Sequence, residues 1–199
     1  MKNRILYLHG KGGSVAEAAH YQPLFPDGAV IGFDYHAETP WEAQKEFADG
    51  FDEIARGADV TLIANSIGAY FALCALGEKK IKQAFFISPI VDMERLIGDM
   101  MTWAGVSERE LAARREIPTA FGETLSWDYL TWVRAHPIVW HTPTEILCGS
   151  GDTLQSEDTI RRFADRCDAG VTVMPNGEHW FHTEEEMRFL DGWLRGFIQ

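Results

Sequence analysis

The chain has 199 residues, of which 46% are hydrophobic and 24% charged; that composition excludes wholesale disorder and supplies one domain with a substantial core. The formal net charge of −12 repels phosphate backbones and anionic lipid, so neither nucleic acid nor a membrane surface is expected as a partner. Cys74, Cys148 and Cys167 are odd in number and far apart, without a CxxC pair. They are expected to be reduced structural thiols, not a disulfide framework or a zinc site.

Lys2 and Arg4 precede an apolar stretch at 5–8 that stops at His9-Gly10. A signal h-region needs about 7–15 apolar residues and a spanning helix about 20, so the expectation is a cytoplasmic protein whose first strand begins almost at once. Residues 5–8 are that buried strand, and 29–33 a second. Residues 39–57 carry Trp41, Phe47, Phe51 and Ile54 at near-helical spacing, with Thr39 as N-cap and Pro40 at the first helical position. A strand follows at 60–64, then an all-round apolar helix at 67–76 with Gly77 as its stop. Strands at 84–87 and 145–148, an amphipathic helix through Ile160, Phe163, Ala164 and Cys167, a strand at 171–174 and a closing helix from Met187 to Phe197 complete the alternation. Strand–helix alternation predicts parallel pairing by right-handed crossovers: a three-layer α/β/α sandwich on a mostly parallel sheet of about six strands. The alternation breaks at about 91–142, where only helices are expected. One runs through Met93 to Ala104, one opens on a Ser107/Glu110 capping box, and one is marked by Trp127, Leu130 and Val133. The insert leaves and re-enters at strand C-termini, where ligands bind in parallel sheets, so it is expected to be a lid on a single 1–199 domain.

Four turns carry the chemistry. Residues 60–68 run strand, small-x-Ser-x-Gly turn, helix, with Ser66 between the small residues Ala64 and Gly68. A nucleophile needs that spacing, because strand and helix backbones pass close on either side of it. The commoner pattern has Gly where Ala64 stands. The first strand runs into His9-Gly10-Lys11-Gly12-Gly13, a loop whose amides can face a developing oxyanion. Lys11 is the favoured donor and Gly12 the next, with the Ile67 amide as the other half. Neither GxxxxGK[ST] nor GxGxxG is present, which argues against a phosphate loop. His9 is expected to pin the loop. The turn at 149–152 presents Asp152 and that at 175–179 presents His179, each after its own strand. Asp92 is the reserve acid. His179 and His182 lie three apart but have no third ligand at matching spacing, so no metal is expected. His182 is expected to shape the pocket or cap the closing helix; His136 and His141 are expected to be structural.

These turns together resemble the α/β-hydrolase superfamily across nearly the whole chain. The resemblance implies about six strands instead of eight, the N-terminal antiparallel ones being missing. It also implies Ser66 as nucleophile, His179 as general base and acid, and Asp152 as its orienting acid, with Lys11 and Ile67 amides as oxyanion hole and no cofactor. Gly10, Gly12, Met100, Trp103, Trp127 and Trp180 are the expected substrate contacts, the aromatic and Met content of the insert suiting a small, partly apolar acyl substrate. The expected reaction is cleavage of a carboxylic ester or thioester. The rivals are a binding module on the same fold, and an acyltransferase or C–C hydrolase using the same triad.

Overall fold

The computed structural model describes residues 3–198. Two compact units emerge: one from the chain up to Val91 and from Val139 onward, the other Asp92–Ile138. In chain order the first unit begins with β1 (Asn3–Leu8), α1 (Ala18–Tyr21) between two single-turn 3-10 segments, β2 (Gly28–Gly32), α2 (Pro40–Ala55), β3 (Val60–Asn65), α3 (Ser66–Ala75) and β4 (Gln83–Ile87). The second unit holds α4 (Met93–Ala104), α5 (Glu108–Arg114), β5 (Glu116–Pro118), β6 (Thr124–Ser126) and α6 (Trp127–Ala135). The first unit then resumes with β7 (Thr144–Gly149), α7 (Glu157–Cys167), β8 (Gly170–Met174) and α8 (Glu184–Arg195).

The main sheet has the order β2-β1-β3-β4-β7-β8, with every pair parallel. Side chains alternate across it with the period of two that strands impose. Ile5, Tyr7, Ile63, Phe85, Ile87 and Leu147 share one core with Ala18 and Tyr21 of α1 and Leu190, Trp193 and Leu194 of α8. Their neighbours Leu6, Leu62, Ala64 and Phe86, also fully buried, belong to the opposite face, where α2 and α3 pack together. This is the expected three-layer α/β/α sandwich. The chain steps from β1 outward to β2, then returns to the other side of β1 as β3. The C-terminal ends of β1 and β3 are therefore a topological switch point, the place in such sheets where a crevice opens.

Local chemistry explains most element ends. Thr39 accepts from the Glu42 N–H and Glu42 reaches back to the Thr39 N–H, a complete capping box with Pro40 at the first position. Gly77 is not a left-handed helix stop. It is glycine because a Cβ there would lie 2.6 Å from the Val139 carbonyl. Phe197 lies beyond the end of α8, exposed at 39%.

The second unit departs from the all-helical expectation. Between α5 and α6 it carries an antiparallel hairpin of two three-residue strands, β5 and β6. Such strands are too short to show an alternating pattern. The expected Ser107/Glu110 box is half-made: Ser107 Oγ accepts from the Glu110 N–H at 3.2 Å, but the Glu110 carboxylate turns to Arg114 at 3.0 Å. Arg134 ties α6 to Glu94 and Glu108, at 2.7 Å each. Trp103 meets Phe121 edge-on at 6.1 Å and is 54% exposed; Met100 and Trp127 are half-buried.

Candidate active site

The last residue of β3 is Asn65 and the first of α3 is Ser66, so the strand becomes a helix with no intervening loop. The turn forces Ser66 to φ 48°, a left-handed conformation that costs an L-residue about 1–2 kcal/mol. Small flanks make it possible. Ala64 is fully buried, and a Cβ on Gly68 would lie 2.3 Å from the His9 carbonyl oxygen. The same approach brings the β1 loop over Ser66: a Cβ on Gly10 would sit 3.2 Å from Ser66 Cβ.

Ser66 Oγ lies 2.8 Å from His179 Nε2, and His179 Nδ1 lies 2.7 Å from Asp152 Oδ2. A carboxylate only accepts, so Nδ1 carries the proton and donates it to Asp152. That leaves Nε2 of the neutral ring to accept from the serine hydroxyl. Asp152 is 1% exposed along its side chain and the imidazole 19%. The second Asp152 oxygen is held by the Leu154 and Gln155 N–H groups at 2.8 and 3.1 Å. Asp92, the reserve acid, caps α4 by accepting from the Arg95 N–H at 3.0 Å.

Acid turn and base turn are bonded to each other. The Gly151 N–H donates to Gly177 O at 2.8 Å, Ser150 N–H to Met174 O at 2.9 Å, and Asn176 N–H to Ser150 Oγ at 2.8 Å. A Cβ on Gly149 would lie 2.1 Å from Gly177 O, so the two turns touch backbone to backbone. On its far side the base loop is clasped by Glu186, a buried carboxylate of α8. It accepts from the N–H groups of Glu178, His182 and Thr183 at 3.0, 3.1 and 3.0 Å and from Thr183 Oγ1 at 2.8 Å. Burial raises its pKa, but these bonds outweigh it and hold the carboxyl down at about 2. Thr183, not His182, caps α8; the His182 ring stacks on Trp180 at 4.3 Å. The pattern Thr183-x-x-Glu186 is a capping box legible in the sequence, though its grip on the catalytic loop is not.

The β1 loop turns tightly, with Gly13 N–H donating to Gly10 O at 3.1 Å and Gly12 at φ 75°. That turn leaves the central Lys11 amide outside its own hydrogen bond. Ile67, in the first turn of α3, has an N–H without an intrahelical partner. His9 pins the loop as expected: Nδ1 donates to Gly10 O at 2.9 Å and the ring stacks on Tyr35 at 4.4 Å. Tyr35, missed in the sequence, adds a hydroxyl bond to the His9 carbonyl at 2.7 Å.

A cavity of about 560 Å³ opens at the switch point, lined by the first unit. Ser66, His179, Lys11, Gly10, Gly12 and Trp180 all line it, as do Tyr7, Glu17, Tyr21 and Asn65, which the sequence did not single out. Met100, Trp103 and Trp127 belong to the second unit. His136 stacks on Trp132 at 4.2 Å and bonds its carbonyl, and His141 is exposed. Burial pushes the Cys148 thiol up to about 11 and the Cys74 thiol to about 12, the latter against a Tyr70 hydrogen bond that lowers it. Among the described residues no cluster of three or more His, Cys, Asp or Glu is arranged around a metal-sized site, and no helix is long and apolar enough to cross a membrane.

No protein-family model and no curated protein sequence matches the chain. Solved structures do match in fold. The chain is similar to alpha/beta hydrolase domain-containing protein 10 from mouse, with a TM-score of 0.77 and 18% identity over 98% of this chain and 89% of that one. It is similar to Est1E from Butyrivibrio proteoclasticus, with a TM-score of 0.75 and 15% identity over 98% and 86% of the two chains. It is also similar to the Paleococcus ferrophilus monoacylglycerol lipase, at 0.65 and 16% over 97% and 94%. With its parallel six-stranded sheet, the chain has the α/β-hydrolase fold.

Proposed function

We propose that the protein is a serine hydrolase that cleaves a carboxylic ester or thioester of a small, partly apolar substrate through an acyl-enzyme. The observation that carries this reading is the unbroken hydrogen-bond chain Ser66 Oγ, His179 Nε2, His179 Nδ1, Asp152 Oδ2, at 2.8 and 2.7 Å. It is supported by the company the fold keeps, which includes a lipase-esterase related protein, a monoacylglycerol lipase and a thioesterase domain.

In this mechanism Ser66 Oγ attacks the acyl carbon as His179 Nε2 takes its proton. Asp152 stabilises the resulting imidazolium and fixes the ring tautomer. The carbonyl oxygen becomes an oxyanion facing the Lys11 and Ile67 amides, each such donor contributing about 2.7–4 kcal/mol to the transition state. The imidazolium returns its proton to the departing alkoxide or thiolate. Water then attacks the acyl carbon as it gives a proton to Nε2; the acyl carbon–Oγ bond breaks, the acid leaves, and Nε2 returns the proton to Ser66 Oγ.

The test is hydrolysis of p-nitrophenyl esters from acetate to long acyl chains by wild type and Ser66→Ala, with fluorophosphonate labelling of both. Ser66-dependent turnover and labelling are expected. A wild-type protein that neither turns over nor labels is the binding module instead. The insert enters this proposal as a lid: Trp103→Ala and Trp127→Ala are expected to alter the chain-length profile while labelling persists.

A further inference from the structure

One wall of the cavity carries a polar network that the acyl-transfer chemistry does not use. Glu17 Oε1 accepts the Ser14 N–H at 3.0 Å, and its Oε2 accepts the hydroxyl of Tyr7. The Tyr7 oxygen in turn accepts from Asn65 Nδ2 at 2.9 Å. The carboxylate end sets the direction of this chain: Tyr7 spends its proton on Glu17, so Asn65 must present its amide nitrogen to Tyr7. Burial, with Tyr21 and Glu17 beside it, pushes the Tyr7 phenol far above its ordinary pKa, which keeps it a donor.

The orientation leaves Asn65 Oδ1 buried, with no hydrogen-bond partner among the described residues. Glu17 uses one acceptor site on each oxygen, about half of what a carboxylate offers. His20, on the same wall, has its Nε2 committed to Asp191 at 2.8 Å. The network therefore holds more acceptors than donors, beside the nucleophile, in a cavity whose other walls include Ile87, Phe181, Met187 and Leu190. Glu17 is exposed, so solvent meets its free acceptor sites until an occupant of the cavity displaces it. A purely alkyl occupant would desolvate the Glu17 carboxylate and return nothing.

We propose, resting on the ester-hydrolase reading above, that this cavity is a specificity pocket for a substrate arm with an apolar body and a hydrogen-bond-donating group, a hydroxyl or a protonated amine. Glu17 is its principal acceptor, with Tyr7 and Asn65 setting the polarity of the wall.

The test compares matched esters. One panel is p-nitrophenyl 3-phenylpropanoate, its 4-hydroxyphenyl analogue and its 4-(aminomethyl)phenyl analogue. The other is the acetates of 2-phenylethanol and 2-(4-hydroxyphenyl)ethanol. In at least one panel wild type is expected to favour a donor-bearing ester by about tenfold or more in kcat/KM. The ratio is expected to fall several-fold in Glu17→Gln, and the amine and hydroxyl arms tell which donor is read. Plain and donor-bearing esters cleaved alike by wild type in both panels would overturn the pocket assignment and leave the hydrolase standing; this arm needs no variant. A preference untouched by Glu17→Gln, in a variant whose melting temperature shows it folded, would also overturn it. Absence of Ser66-dependent turnover of every ester would remove the hydrolase reading and this inference with it.

Discussion

At Ser66, backbone strain and side-chain position are the same fact. Ser66 projects its hydroxyl to His179 because its φ is 48°. Glycine adopts that conformation without the cost that alanine bears, so Ser66→Gly is expected to melt above Ser66→Ala by about 1 kcal/mol, or roughly 2–4 °C at this size. Both are expected to be inactive, and a melting comparison checks the order. Glu186 acts at the same scale on the base. Its folded pKa, about 2, lies below the ordinary carboxyl value of 4.5. The stabilisation it contributes is therefore fully present above about pH 4.5 and lost as pH falls through about 2. Glu186→Gln is expected to cost about 1–3 kcal/mol at pH 7, with the gap to wild type closing below pH 4.5. Urea melts at several pH values measure it.

At the scale of elements, what fixes the site is how closely backbones approach. The α3 helix begins against the His9 carbonyl, and Gly68 is the residue that permits it. The clashing atom belongs to a backbone held by Tyr35 and by the β1 loop, so it cannot swing aside. Gly68→Ala is expected to destabilise by about 1–3 kcal/mol and to lower kcat about 100-fold through displacement of the loop. Thermal melts and steady-state kinetics separate the two effects. This scale also shows what the sequence exposed. The strands are legible because each is a short apolar run closed by glycine or a polar turn, and the long helices because their faces and caps follow the helical period. The hairpin at 116–126 and the single turns around α1 are not, since a three- or four-residue element has no period to display. The triad is legible because three turn residues follow three different strands. Glu17, Tyr7 and Asn65 were not, because an exposed Glu, a strand Tyr and a turn Asn acquire meaning only when the sheet brings them together.

For the whole molecule, the switch point decides where the candidate site lies. β1, β3, β7 and β8 all deliver their C-terminal turns to the same edge, supplying the glycine loop, Ser66, Asp152 and His179 respectively. The net charge of −12 surrounds this edge with a field that attracts cations over about one Debye length. For esters that carry a positive charge, kcat/KM is expected to fall as salt rises from about 10 mM to 500 mM, while neutral esters of the same shape hold steady. A slope common to both would assign the salt effect to the protein and not to steering.

The clasp of Glu186 on the base loop also orders events in time. A ribosome delivers β1, the serine elbow and the acid turn first; the His179 turn and α8 come after all of them in chain order. A nascent chain can therefore shape the nucleophile's surroundings while lacking the base. On the proposed hydrolase reading, competence would switch on as a single late step, when α8 docks and its carboxylate gathers the loop, and emerging chains would stay chemically silent until the sheet is complete.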